Sequence, residues 1–257
     1  MNHTDFQIVV EIMEQLGNHI VKWRSDPSAR KQISDKGLKL VADHRAHEYL
    51  IEHLNLHFPA IPILSEEDSF HKERRPEKYW LIDPIDGTAS WLEGFDGFVT
   101  QAAYIEYCEP VFGIIHSPIS KQTYTAVKNQ GARINSTLLT SLKNADRLVI
   151  TDNTPSPHGV VKTLSDNLSA TGYQESGSLG LKCCLVADGT ADLFVKCITV
   201  RDWDIAPAWL VLKEVNGFIT VSSGKAYNFS GPIEKLEGVI VARDQQLWQR
   251  AYDVVNS

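Results

Sequence analysis

The sequence predicts a layered α/β or mixed α+β protein, and three observations carry that prediction. Apolar residues recur at three- and four-residue steps in the first stretch of the chain and again further on. The middle holds short β-rich runs separated by turn residues, the pattern of an antiparallel meander. The later part alternates helical with strand-like segments, so helices and sheet interleave.

Taken in order, Phe6, Val9, Met13, Leu16, Ile20 and Trp23 line one face of an amphipathic helix. The polar stretch RSDPSARKQISDKG reads as a loop, and a second helix is expected from about Leu38 to Leu54. The runs at 61–64 and 79–83 are short, apolar and end in acids, as strands do. The segments at 98–107, 111–116 and 122–127 form the meander, with Asn129, Gln130 and Gly131 at the next turn. Further strands are expected at 147–151, 191–195, FITV and VIVAR, and helices near 158–168 and 178–188. A strong helix is expected from about Ile205 to Val215, stopped by Asn216-Gly217, and Gln245 to Val255 closes the chain.

The chain has 257 residues, 43% hydrophobic and 22% charged, the composition of a globular protein with a sizeable core. One domain over 1–257 is expected, with an α+β half over about 1–140 and an α/β half over about 141–257. With 25 Lys+Arg against 32 Asp+Glu, the net charge is −7, which argues against a nucleic acid polymer as partner. An anionic substrate would then need something other than bulk charge to hold it, and a metal ion is the natural candidate. No apolar run approaches the length of a membrane span, and the acidic N-terminus does not read as a signal peptide. Cys108, Cys183, Cys184 and Cys197 lack a C-x-x-C pair, so reduced thiols and a cytoplasmic location are expected.

Acids collect where apolar elements end: Glu66 and Glu67 in ILSEEDSF, Asp83 and Asp86 in WLIDPIDGTASW, Asp202 and Asp204 in VRDWDIAPAW. Carboxylates brought together repel unless a cation sits between them, and oxygen ligands without His or Cys favour Mg²⁺. Gly87-Thr88 at a helix start offers free backbone N–H groups to a phosphate. Alone, Glu66-Glu67 reads as a solvated loop, Asp204 as a helix N-cap and Asp202 as a surface or capping acid. DPIDGT is harder to dismiss. It is not the D-x-D-G-T of haloacid-dehalogenase phosphatases, because Pro84 stands where their nucleophile would be.

Together, Asp43 in KLVADHRAH, Glu66-Glu67, DPIDGT at 83–88 and Trp203-Asp204 with Ala206 resemble the inositol monophosphatase superfamily of Mg²⁺-dependent, lithium-sensitive phosphatases. The resemblance implies an α-β-α-β-α sandwich of the sugar-phosphatase type, usually a homodimer, with two to three Mg²⁺ per site. It implies that Glu66, Asp83 and the Ile85 carbonyl hold one ion, that Asp83, Asp86 and Asp204 hold a second, and that Glu66 helps with a third. Asp43, Glu66 and Thr88 are the catalytic candidates, with the Thr88–Asp43 pair orienting and deprotonating the attacking water. Gly87, Thr88, Ser178, Lys182 and Asp204 are the substrate-binding candidates.

The stretch ESGSLGLKCCLVADG looks like the corresponding part of 3′(2′),5′-bisphosphate nucleotidases, with one extra residue before Lys182. Lys182 then meets a second phosphate, or is a surface helix lysine. Inositol-selective relatives usually carry an acid where this chain has Cys197, a poor acceptor that lowers the inositol reading, and the family as a whole often has Thr where this chain has Leu40. The expected function is a Mg²⁺-dependent phosphomonoesterase, first for 3′-phosphoadenosine 5′-phosphate, with an inositol-1-phosphate or sugar-phosphate phosphatase as the alternative. A catalytically silent metabolite-binding protein is the reading from another class.

Overall fold

The computed structural model describes residues 3–35, 37–68, 75–140 and 147–257. Helix α1 (His3–Trp23) buries Phe6, Val9, Met13, Leu16 and Ile20, the predicted stripe. Helix α2 (Val41–His57) starts three residues later than expected. Leu40 is extended, and its N–H is taken by the Asp43 side chain at 2.7 Å, which caps the first turn.

Strands β1 (Ile63–Ser65) and β2 (Lys78–Asp86) pair in parallel. The short helix α3 (Thr88–Glu93) follows β2 directly. The meander is β3 (Val99–Glu106), β4 (Glu109–Ser117), β5 (Gln122–Val127), β6 (Ala132–Ile134) and β7 (Thr137–Leu138), and the sheet runs in order from β1 to β7. The expected boundary near 140/141 adjoins residues 141–146, which lie outside those described.

The rest of the chain is β8 (Val149–Asp152), α4 (Gly159–Leu168), β9 (Gly172–Glu175), α5 (Leu179–Ala187), β10 (Leu193–Lys196), β11 (Val200–Arg201), α6 (Asp202–Glu214), β12 (Phe218–Val221), β13 (Glu234–Lys235), β14 (Val239–Ala242) and α7 (Gln245–Val255). A second, mixed sheet has the order β12-β14-β10-β8-β9. The edge strand β9 went unread because its sequence, GYQE, has no apolar face. Helix α6 begins at Asp202, three residues before the predicted start. Asp204 is therefore its third residue rather than its N-cap, and its carboxylate accepts the Arg201 N–H at 2.8 Å.

Three apolar cores define the layers. One lies between α1, α2 and the large sheet, with Trp80, Phe112 and Ile114 on the sheet side. The second fills the space between the two sheets around α5 and α6. The third lies between the small sheet and α4 and α7, around Leu164, Ile240 and Trp248. The stack is α-β-α-β-α, with α5 and α6 in the middle layer. All four cysteines are free. Among the described residues, no helix is long and apolar enough to cross a membrane.

Candidate active site

The carboxylates gather because of how β2 ends. Side chains alternate along a strand, so Asp83 and Asp86, an odd number of residues apart, should face opposite ways. Opposite them, Asp83 pairs with Gln101 and Asp86 with Val99, so β2 carries one extra residue. This bulge contains Pro84, which has no N–H to contribute to a ladder. It returns Asp86 to the side of Asp83.

Both acids are buried, and Asp204 from the start of α6 reaches them. Burial, followed by the charges of Glu66, Asp86 and Asp204, pushes the Asp83 carboxyl well above the usual range. Burial, then Asp86 and Glu66, does the same to Asp204. Glu66, just after β1, is raised to about 7, mainly by burial, with Glu67 and Asp86 adding to it. The structure thus brings together Glu66, Asp83, Asp86 and Asp204 from three separate stretches of chain.

Protein donors orient Asp86. Its Oδ2 accepts from Ser178 Oγ at 2.5 Å, the Gly180 N–H at 2.9 Å and Gln101 Nε2 at 3.2 Å. A side chain at position 180 would collide with Gln101, since a Cβ there would lie 2.0 Å from Oε1. Gln101 was not singled out from the sequence. A lone amide in the apolar run FVTQAAYIEY was the available signal.

Thr88 is the first residue of α3. Its Oγ1 stands 3.1 Å from both Asp43 Oδ1 and the Ile85 carbonyl, and can donate its proton to either. Gly87 makes this turn with φ +92°, where a side chain would be strained. Asp43 is 3% exposed, and burial raises its carboxyl to about 7 against the opposing Leu40 N–H bond.

Ser178 and Lys182 stand beside the site with their polar atoms bound to protein partners. Ser178 is fully buried, donating to Asp86 and accepting the Leu181 N–H at 2.9 Å as the N-cap of α5. Lys182, 1% exposed, is not a surface lysine. Its Nζ donates to the carbonyls of Ser176 at 3.1 Å and Gly177 at 3.4 Å. Burial lowers its pKa to about 8. The two side chains organise Asp86 and the 176–178 loop. Asp202 is likewise not a surface acid, being fully buried.

A cleft of about 390 Å³ opens beside Gly87, lined also by Ser90, Glu93, Asn153, Glu175 and Gly177. Among the described residues, no three His, Cys, Asp or Glu groups form a ready-made metal cage. The donor set nonetheless fits a hard cation. Two buried acceptors, Asp83 Oδ1 and Gln101 Oε1, have no hydrogen-bond partner among the described residues, and like charges crowd one another around them.

Comparison with known proteins gives a consistent result. The chain is 27% identical over 231 residues to the fructose-1,6-bisphosphatase/inositol-1-monophosphatase of Thermotoga maritima, covering 89% of this chain and 88% of the relative. It is 30% identical over 221 residues to the 3′(2′),5′-bisphosphate nucleotidase CysQ of Haemophilus influenzae, covering 82% of each. The solved inositol monophosphatase of T. maritima superposes with a TM-score of 0.82 at 25% identity, over 100% of this chain and 99% of that one. The suhB protein of Bartonella henselae has the same fold, with a TM-score of 0.83 at 22% identity over 99% of each chain. The inositol monophosphatase family model matches residues 4–256. The chain therefore belongs to the inositol monophosphatase family and is a phosphatase of that superfamily.

Proposed function

We propose that the protein is a Mg²⁺-dependent phosphomonoesterase acting on a small phosphate ester. The observation that carries this reading is the convergence of half-buried Glu66 with buried Asp83, Asp86 and Asp204, where Asp83 Oδ1 has no hydrogen-bond partner among the described residues. Glu66, Asp83, the Ile85 carbonyl, Asp86 and Asp204 would hold the ions, which supply Lewis-acid charge to the phosphoryl oxygens and to the attacking water. Asp43 accepts the water's proton through the Thr88 hydroxyl, with which it is hydrogen-bonded. Gly87 and Thr88 N–H groups face the phosphate, an assignment carried by the family resemblance. Ser178 and the Gly180 N–H keep Asp86 aimed. Resemblance also extends the reading to lithium inhibition and a homodimer.

The leaving group would occupy the cleft beside Gly87. Among the described residues its lining includes Glu93 and Glu175 and no Lys or Arg, which favours hydroxyl groups, which donate to carboxylates, over a second phosphate. A sugar or inositol monophosphate fits this best. The nucleotide reading, 3′-phosphoadenosine 5′-phosphate, is supported by the likeness to CysQ proteins. It loses the support of Lys182, whose Nζ is bound to backbone. Phosphate release from inositol 1-phosphate, fructose 1,6-bisphosphate and 3′-phosphoadenosine 5′-phosphate with Mg²⁺ tests this. The monophosphate should be turned over with the highest kcat/KM. Preferred turnover of the nucleotide would reverse the order, and no release from any of the three would favour a silent binding protein.

A further inference from the structure

Two residues before Asp204 stands a carboxylate to which the reaction proposed above gives no part. Asp202, the first residue of α6, is fully buried. Tyr227 OH donates to its Oδ1 at 2.8 Å. Arg75 Nη2 donates to Oδ2, and Lys235 Nζ lies 3.6 Å from the same oxygen. The cations are themselves fixed: Arg75 also binds the carbonyls of Phe229 and, at 2.9 Å, Gly231. Lys235 binds those of Ser230 at 2.9 Å and Pro232 at 2.7 Å. The Asp202 N–H donates to Ile233 at 3.1 Å.

The placement of Arg75 gives this cluster its consequence. Arg75 lies three residues before β2, the strand that presents Asp83 and Asp86. Asp202 begins α6, the helix that presents Asp204. Their ion pair, 5% and 0% exposed, ties one carrier of the carboxylates to the other across 127 residues of sequence. Among the described residues two cations face this one carboxylate, so the cluster depends on Asp202, because removing it would strand largely buried positive charge.

We propose that Asp202, acting through Arg75, is a positioning residue that sets the reach of Asp204 toward Asp83 and Asp86, and so the affinity for the divalent cation. This rests on the metal reading under Proposed function. Outer groups that orient metal ligands commonly change affinity by about 10–100-fold when removed.

The test titrates Mg²⁺ against the thermal unfolding of the purified full-length protein, alongside steady-state kinetics. For Asp202→Asn, the Mg²⁺ concentration needed for the same rise in Tm over the Mg²⁺-free protein, its Mg²⁺ midpoint here, should increase by about tenfold or more. At saturating Mg²⁺, KM for the phosphate ester should stay within about twofold of wild type. Arg75→Lys, which keeps the charge but loses the fork that spans Asp202 and two carbonyls, should fall between wild type and Asp202→Asn. It reads the same quantity if Asp202→Asn does not fold. A lowered Tm with an unchanged Mg²⁺ midpoint in either variant would make the cluster purely structural and overturn the proposal. Wild-type protein whose Tm ignores Mg²⁺ would overturn the metal reading itself, and this inference with it.

Discussion

Thr88 and Asp43, from the first turns of two different helices, meet with their side-chain oxygens 3.1 Å apart. Asp43 uses its other oxygen to cap α2, so its position is set by the helix it begins. That cap leaves Oδ1 aimed at the hydroxyl. Burial raises Asp43 to about 7, which on the proposed reading suits it to accept a proton near neutral pH. Thr88→Ala should lower kcat by about 100-fold or more while KM stays within about threefold, as for a group acting on the nucleophile. A change confined to KM would make Thr88 a substrate anchor.

The same pair predicts a pH profile. If Asp43 is the base, as proposed, it must be ionised, so kcat should climb as pH rises through about 7, the value to which burial raises it. Asp43→Asn should remove that limb along with most of the activity. Survival of an identical acidic limb in the variant would assign it to another group.

Asp86→Asn separates fold from chemistry. An asparagine oxygen can still accept from Ser178 and Gly180, so the Tm should hold or rise. Loss of the charge should cut phosphate release by roughly a thousandfold, about 4 kcal/mol of transition-state stabilisation. Near wild-type turnover would remove Asp86 from the ligand set.

Stability should depend on pH and Mg²⁺ together. Glu66 is held up to about 7, and Asp83 and Asp204 lie well above the ordinary carboxylate range. A carboxyl raised in the folded state binds its proton more tightly there than in the unfolded chain. Folded stability from these groups is therefore lost as pH rises from about 4 through 7. A cation relieves the repulsion between the ionised groups. The increase in Tm on adding Mg²⁺ should consequently be larger at about pH 8 than at about pH 5, as thermal unfolding can show. Equal shifts at both would mean that Mg²⁺ binds elsewhere.

Lys182→Met distinguishes the two substrate readings. It leaves the Ser176 and Gly177 carbonyls without their donor, and Gly177 lines the cleft. KM should rise by a similar factor for substrates with one phosphate and with two. A loss confined to the bisphosphate would return Lys182 to direct substrate contact.

The acids of DPIDGT and the downstream Trp203-Asp204 were legible as chemistry because they interrupt or end apolar runs. What aligns them was not. An odd spacing between Asp83 and Asp86 becomes one-sided through a bulge visible only against the partner strand. Asp202 read as a surface acid because its partners, Arg75 and Lys235, arrive from distant segments. Lys182 showed its charge but not its direction, which depends on how tightly the 176–178 loop folds over α5. Helix α6 starts at Asp202 rather than Ile205, and Pro207 sits inside it.

Ester hydrolysis should depend on divalent cations held by Glu66, Asp83, Asp86 and Asp204. The most direct measurement is phosphate release from a monophosphate ester as Mg²⁺ is titrated into chelator-stripped protein, for wild type and Asp83→Asn. Wild-type release should rise from background to saturation with Mg²⁺, and the variant should stay near background with its fold intact. Undiminished release without divalent cation, or a Mg²⁺ response in Asp83→Asn equal to wild type, would contradict the account.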